Sequence, residues 1–259
     1  MTDVPGLLHI AGLSVLLAGR QVLADIDIEV KPGEFVVVVG PNGAGKTTLL
    51  KAVAGILPVK GSILIEESPL LRLSLAERAR RIAYLPQGHV FHWPLAVEDI
   101  VALGRLPRGG GADLSSADGE AVKKAMVQTG VAEYARRAVT RLSGGERARV
   151  ALARVLATEA PLILADEPTA ALDPRYQLIV LGILQRHARA GGTVIAVLHD
   201  LGLAARHADR IIVLDQGRVV ADGTPSEVLT KLLLAKTFGI DAEIVALGDA
   251  PVIIPWNVI

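Results

Sequence analysis

Residues 35–50, FVVVVGPNGAGKTTLL, leave this chain few folds to choose from. An apolar, β-branched run, Val36 to Val39, reads as a buried strand. A loop of Gly40, Pro41, Asn42, Gly43, Ala44 and Gly45 follows, and then a helix opening with Lys46, Thr47 and Thr48. Strand, glycine-rich loop and helix match the pattern G-x-x-x-x-G-K-[ST]. The physics is anion capture. Successive backbone N–H groups form a concave nest, and the helix N-terminus adds partial positive charge. Glycines permit backbone angles that a Cβ would block. Lys46 is placed to reach the β- and γ-phosphates of a nucleoside triphosphate, and the Thr47 hydroxyl to ligate Mg²⁺. An ordinary β-to-α turn requires neither three glycines nor a lysine here.

At 259 residues, the chain can form one large α/β domain or two small ones. The 27 basic residues match 27 acidic ones, so no global charge argues for a nucleic-acid partner. Cysteine is absent, which removes disulfides and thiolate metal sites and fits a reducing compartment. No apolar run approaches the length of a membrane span, and MTDVPGLLHI lacks the look of a signal peptide. The mean hydropathy of +0.45 is high for a soluble protein. An Ala/Val/Leu/Ile-rich core is the first explanation, and a surface that docks on a larger partner is the second.

Residues 7–17 and 22–30 alternate as antiparallel strands joined near Gly19-Arg20. The helix after Lys46 is expected to run to about Leu57, where Pro58 stops it. A strand follows at 61–66. Ser74 and Glu77 form a capping box on a short basic helix, and 82–87 is a buried strand ending in Pro86-Gln87. The character then changes. Residues 89–111 concentrate aromatic and histidine residues, and 97–104, 116–129 and 131–137 read as helices around a flexible joint at 108–116. The strand pattern resumes at 161–168, PLILADEP. Asp173 and Pro174 cap and open a helix to Ala190. A buried strand at 193–200, a helix at 201–207 and a hairpin at 210–223 come next. Thr224 to Glu227 cap a last helix before a tail with strand character.

Hydrolysis of a phosphoanhydride needs a metal, a group orienting water, and charge stabilisation. Asp166 ends an apolar strand, where open α/β sheets put their ligands, and would hold Mg²⁺. Glu167 could orient or deprotonate the attacking water. His199 ends another strand and could contact the γ-phosphate. Gln87 ends a third and could reach Mg²⁺ and the water. Ser143-Gly144-Gly145-Glu146 reads first as a capping box. Two glycines in a first turn cost helix stability, however, and they leave a bare N-terminus suited to phosphate. Because that surface lies in the helical stretch, it is expected to read the γ-phosphate of a second molecule's ATP.

These motifs, in this order, resemble those of an ABC transporter ATPase subunit over nearly the whole chain. The resemblance implies an α/β fold: a P-loop NTPase core with a mixed, largely parallel sheet, an N-terminal antiparallel β-subdomain and an inserted α-helical subdomain. It implies a single nucleotide-binding domain over 1–259, with its core at 1–87 and 160–230, the helical subdomain at 88–159 and a tail at 231–259. Residues 40–48 resemble Walker A, and Gln87 resembles the Q-loop glutamine that senses the membrane partner. Ser143 to Glu146 resemble the signature acting in trans. Asp166 and Glu167 resemble Walker B and the catalytic glutamate, Asp173 the D-loop aspartate and His199 the switch histidine. The implied cofactors are ATP and Mg²⁺, with Thr47, Gln87 and Asp166 around the metal. The implied partners are a second copy of the chain, membrane permease subunits and a periplasmic or surface solute-binding protein, with no nucleic acid. The implied location is peripheral, on the cytoplasmic face of the cell membrane. One departure is Leu17, at the hairpin position where the family usually stacks adenine on an aromatic ring. SLAERARRIAYLPQ followed by WPLAVEDIVALGRLPR is similar to importer ATPases for iron–siderophore, haem or cobalamin chelates. In these, the surface after Gln87 docks a permease helix, with Phe91 and Trp93 as candidate anchors. The alternatives are a soluble ABC-type ATPase in assembly, repair or translation control, or a transporter of another substrate. A GTPase would need an Asn-Lys-x-Asp motif, and the only asparagines are Asn42 and Asn257.

Overall fold

The computed structural model describes residues 6–88, 91–110, 114–247 and 250–259. In chain order the elements are β1 (Leu8–Leu17), β2 (Arg20–Val30), β3 (Phe35–Val39), α1 (Lys46–Val53), β4 (Lys60–Ile65), β5 (Ser68–Pro69), α2 (Leu75–Arg81), β6 (Ile82–Leu85), α3 (Val97–Ala102), α4 (Ser116–Gln128) and α5 (Gly144–Leu156). There follow β7 (Leu162–Asp166), α6 (Pro174–Arg189), β8 (Thr193–Val197), α7 (Leu201–His207), β9 (Arg210–Asp215), β10 (Arg218–Gly223), α8 (Pro225–Val228), β11 (Ile240–Leu247) and β12 (Ala250–Val258).

The central sheet has the order β10-β9-β3-β8-β7-β6. Its neighbours pair in parallel, except β10, which is antiparallel to β9. It is mixed and largely parallel, as expected. β3 shows why its strands read as unbroken apolar runs. Phe35, Val37 and Val39 enter one buried cluster, and Val36 and Val38 enter another on the opposite face. The first cluster is continuous with α3, α4 and α5, through Ile100, Val122 and Leu152. The second joins α1 to the antiparallel sheet β2-β1-β4-β5 through Leu49, Leu13 and Ile26.

Several boundaries differ from the sequence reading. α1 ends at Val53, four residues before Leu57. Gly55 takes a left-handed φ of 69° just beyond it and its carbonyl accepts from the Arg78 guanidinium, so a glycine, not Pro58, stops the helix. Residues 131–137 give only one 3₁₀ turn, Ala132–Tyr134. Gly130 at φ 65° closes α4, and too few residues remain for a nucleus. The helix capped by Thr224 and Glu227, α8, is a single turn and not the last, since a short helix capped by Thr230 follows at Lys231–Leu233. The tail is a hairpin, β11 with β12. His89 and residues 111–113 of the expected joint lie outside the described residues.

Candidate active site

The loop of residues 40–45 is held from two sides. A Cβ on Gly40 would lie 2.0 Å from the carbonyl oxygen of Leu214 on β9, and one on Gly45 would lie 2.7 Å from the Leu23 side chain on β2. Both residues have positive φ, so glycine is required by angle and by space. Gly45 is the N-cap of α1, and no side chain caps that end. Its first-turn N–H groups therefore remain available to an anion. Lys46 is only 6 % exposed. Its ammonium donates to the carbonyl oxygens of Gly40 at 2.7 Å and Pro41 at 2.9 Å. Burial lowers its pKa, and the nearby Glu167 and Asp166 oppose that shift. A charge held in this way gains from a polyphosphate.

Parallel strands β6, β7 and β8 are neighbours, so their C-terminal ends share one edge. Asp166 closes β7 and is fully buried. Its Oδ1 accepts from the Thr47 hydroxyl at 3.0 Å, joining the loop to the strand end. Its Oδ2 accepts from the Tyr84 hydroxyl at 3.2 Å. Burial raises the Asp166 pKa, and the two hydroxyl donors resist that rise. Burial and the Asp166 charge push the Tyr84 phenol up, so it keeps its proton and donates.

Glu167 leaves the strand at φ 50°, a left-handed angle costly for a side-chain-bearing residue. That turn sends the two adjacent acids to different partners. Oε1 of Glu167 lies 2.6 Å from His199 Nε2, and Oε2 accepts from Gln87 Nε2 at 2.7 Å. Gln87, Glu167 and His199 thus converge from the ends of three adjacent strands. The chemistry of the donors suits a hydrated Mg²⁺: Thr47 and Asp166 supply hard oxygen atoms, and Gln87 reaches Glu167, the chain neighbour of Asp166.

Ser143 is the N-cap of α5, and the capping box with Glu146 is formed. The Ser143 N–H donates to Glu146 Oε2 at 2.7 Å. The structure explains one of its two glycines. A Cβ on Gly145 would come within 2.7 Å of the Tyr176 ring, whereas one on Gly144 meets nothing. Ser143 and Gly144 are exposed. Among the described residues, no hydrogen bond links this segment to the phosphate loop. Asp173 caps α6 by accepting from the Tyr176 N–H at 3.1 Å. Leu17 is exposed, at the tip of the β1–β2 hairpin opposite Arg20. Phe91 packs on the core, while Trp93 stands 76 % exposed. Tyr84, inside a run that reads only as a buried strand, joins the site, and its signal is a phenol among apolar neighbours. A cavity of about 470 Å³ between α4, α5 and α6 shares no residue with this site.

The profile of the ABC transporter family matches residues 23–170. The hemin import ATP-binding protein HmuV of Streptomyces coelicolor is 50 % identical over 234 residues, which cover 90 % of this chain and 83 % of that protein. The HmuV of Myxococcus xanthus is 43 % identical, with 94 % of each chain covered. The cobalamin import ATP-binding protein BtuD of Halobacterium salinarum is 44 % identical, covering 94 % of this chain and 61 % of that one. Among solved structures, a chain of an inward-facing ABC transporter described as metal-chelate type superposes with a TM-score of 0.83 at 26 % identity, covering 97 % of this chain and 98 % of the other. Matched by the family profile over more than half its length and by relatives over nearly all of it, the chain belongs to the ABC transporter family and is one of its ATPases.

Proposed function

We propose that this protein is the ATP-hydrolysing motor of an importer that carries hemin or a related metal chelate, such as cobalamin or an iron–siderophore. The observation that carries the catalytic part is the convergence of Gln87 and His199 on Glu167, beside the Thr47–Asp166 pair. Bound Mg²⁺ supplies charge neutralisation at the β- and γ-phosphates. The loop amides and Lys46 bind and orient the phosphates. Glu167 holds the attacking water and takes up its proton, while Gln87 and His199 fix the carboxylate. Water adds to the γ-phosphorus, the bond to the bridging oxygen breaks, and ADP and phosphate leave.

The exposed N-terminus of α5 suits the γ-phosphate of a second copy, so two chains would close head to tail over two ATPs. Ser143→Arg should then abolish ATP-induced dimers in size-exclusion chromatography and leave monomer affinity intact. Dimers at ordinary ATP levels would remove the role in trans.

Membrane permease subunits, with a periplasmic or surface solute-binding protein, complete the proposed assembly, which places this chain on the cytoplasmic face of the cell membrane. Trp93, Leu95, Leu103 and Leu106, all exposed in the stretch after Gln87, support a docking surface there. No described helix is long and apolar enough to cross a membrane. The substrate class rests on the relatives' names. The decisive experiment is a tagged pull-down from detergent-solubilised membranes. Recovery of a polytopic permease whose deletion abolishes hemin uptake is the expected result. Only soluble partners, with the chain absent from membranes, would favour an ATPase outside transport.

A further inference from the structure

We propose that Tyr84 is a positioning residue, whose hydroxyl fixes the Asp166 carboxylate in the orientation that receives the metal. This rests on the reading of Asp166 as a metal-binding carboxylate.

The geometry follows from sheet register. β6 and β7 are parallel, with Tyr84 beside Leu164 and Leu85 beside Ala165. Side chains alternate along a strand, so Asp166 shares a face with Leu164, the neighbour of Tyr84. The diagonal step from Tyr84 to Asp166 is one that a long aromatic side chain can span. The ring packs against the cluster that includes Leu164 and Ile195, and its hydroxyl reaches Asp166 Oδ2 at 3.2 Å. α1 lies on the same face and brings Thr47 to Oδ1 at 3.0 Å. Each carboxylate oxygen therefore receives one hydroxyl, from two different elements. The pair fixes the carboxylate plane and satisfies a fully buried acid that has a second acid as its chain neighbour. A phenylalanine would fill the same space on the sheet. The hydroxyl is the part that packing does not need, and partners of this kind typically govern metal affinity.

Tyr84→Phe removes that hydroxyl and keeps the ring. The test titrates Mn²⁺ onto the purified chain with bound ADP, followed by electron paramagnetic resonance. Asp166→Asn runs in parallel, and ADP affinity is measured in EDTA. Tyr84→Phe should weaken Mn²⁺ binding about tenfold while leaving the metal-free ADP affinity unchanged. Unchanged Mn²⁺ affinity in Tyr84→Phe, with a loss in Asp166→Asn, would overturn the positioning role alone. Unchanged Mn²⁺ affinity in both variants would overturn the Asp166 reading and this inference together. An equal loss of metal-free ADP affinity in Tyr84→Phe would show that the hydroxyl only supports the fold.

Discussion

Two buried cations in this molecule are treated in opposite ways. Arg105, 5 % exposed, sits among the helices of the insert. It donates to Asp118 Oδ1 at 2.7 Å, to the Ala157 carbonyl at 2.7 Å and to Glu159 Oε2 at 2.8 Å. Burial alone would lower its pKa, but these acids hold it above the ordinary value. Asp118 is held low, first by the Ser115 hydroxyl and then by Arg105. Arg105 and Asp118 are both stabilised in their charged forms. Lys46, equally buried, makes only carbonyl contacts, and its pKa falls. Asp166, its neighbour at the strand ends, is raised. Here burial works against the charged forms. A cluster of directly paired ions joins helices, whereas a site whose buried charges are held by neutral groups is stabilised by what binds it.

The sharpest break of this comparison is at the strained acid. Glu167→Gln should keep ATP binding, lower hydrolysis by about a thousandfold and accumulate a nucleotide-bound dimer. Wild-type turnover in single-cycle phosphate release would remove Glu167 as the base. Next is the satisfied cluster. Arg105→Ala leaves Asp118 buried without its partner and should cost about 3 kcal/mol of stability, read as a lower urea midpoint with an unchanged slope. A midpoint equal to wild type would show that the cluster is ornamental. Lys46→Ala should behave in the reverse sense. ATP affinity should fall about tenfold or more, while the urea midpoint without nucleotide stays level or rises. A large stability loss there would erase the contrast between the two sites.

The smallest effect is in the pH dependence of stability. Asp118 has a depressed folded pKa, so its contribution is present above the unfolded value of about 4. It is lost as pH falls through the lower folded value. Asp166 has a raised folded pKa, so its ionisation opposes folding above that value, and acid relieves the penalty. Urea midpoints in EDTA from pH 3 to 7 should therefore diverge. Asp118→Asn should remove a stabilisation that grows with pH, and Asp166→Asn a destabilisation that grows with pH. Shifts of the same sign in both variants would contradict these assignments.

Local signals were legible where one residue type has one use. Gly40 and Lys46 announced the phosphate loop, Ser74 with Glu77 and Ser143 with Glu146 announced capping boxes, and Asp173-Pro174 announced the start of α6. The unbroken runs of β3, β7 and β8 announced a sheet covered on both faces. The end of α1 is not legible in this way, because Pro58 is a strong breaker by type, yet Gly55 acts first once Arg78 fixes its carbonyl. Residues 131–137 carried helical composition, but Gly130 left them too short to nucleate.

By itself, then, the sequence determined which residues could bind phosphate, cap helices and fill a parallel sheet, because those properties belong to single residues or to short spacings. Only the tertiary structure decided that Gln87 and His199 meet on Glu167, that Tyr84 reaches Asp166, and that the Tyr176 ring crowds the Cβ position of Gly145. Each of these depends on the order and register of strands, or on the packing of helices, far apart in the chain. Periodicity along the chain does not carry that information, since many pairings bury the same apolar runs equally well.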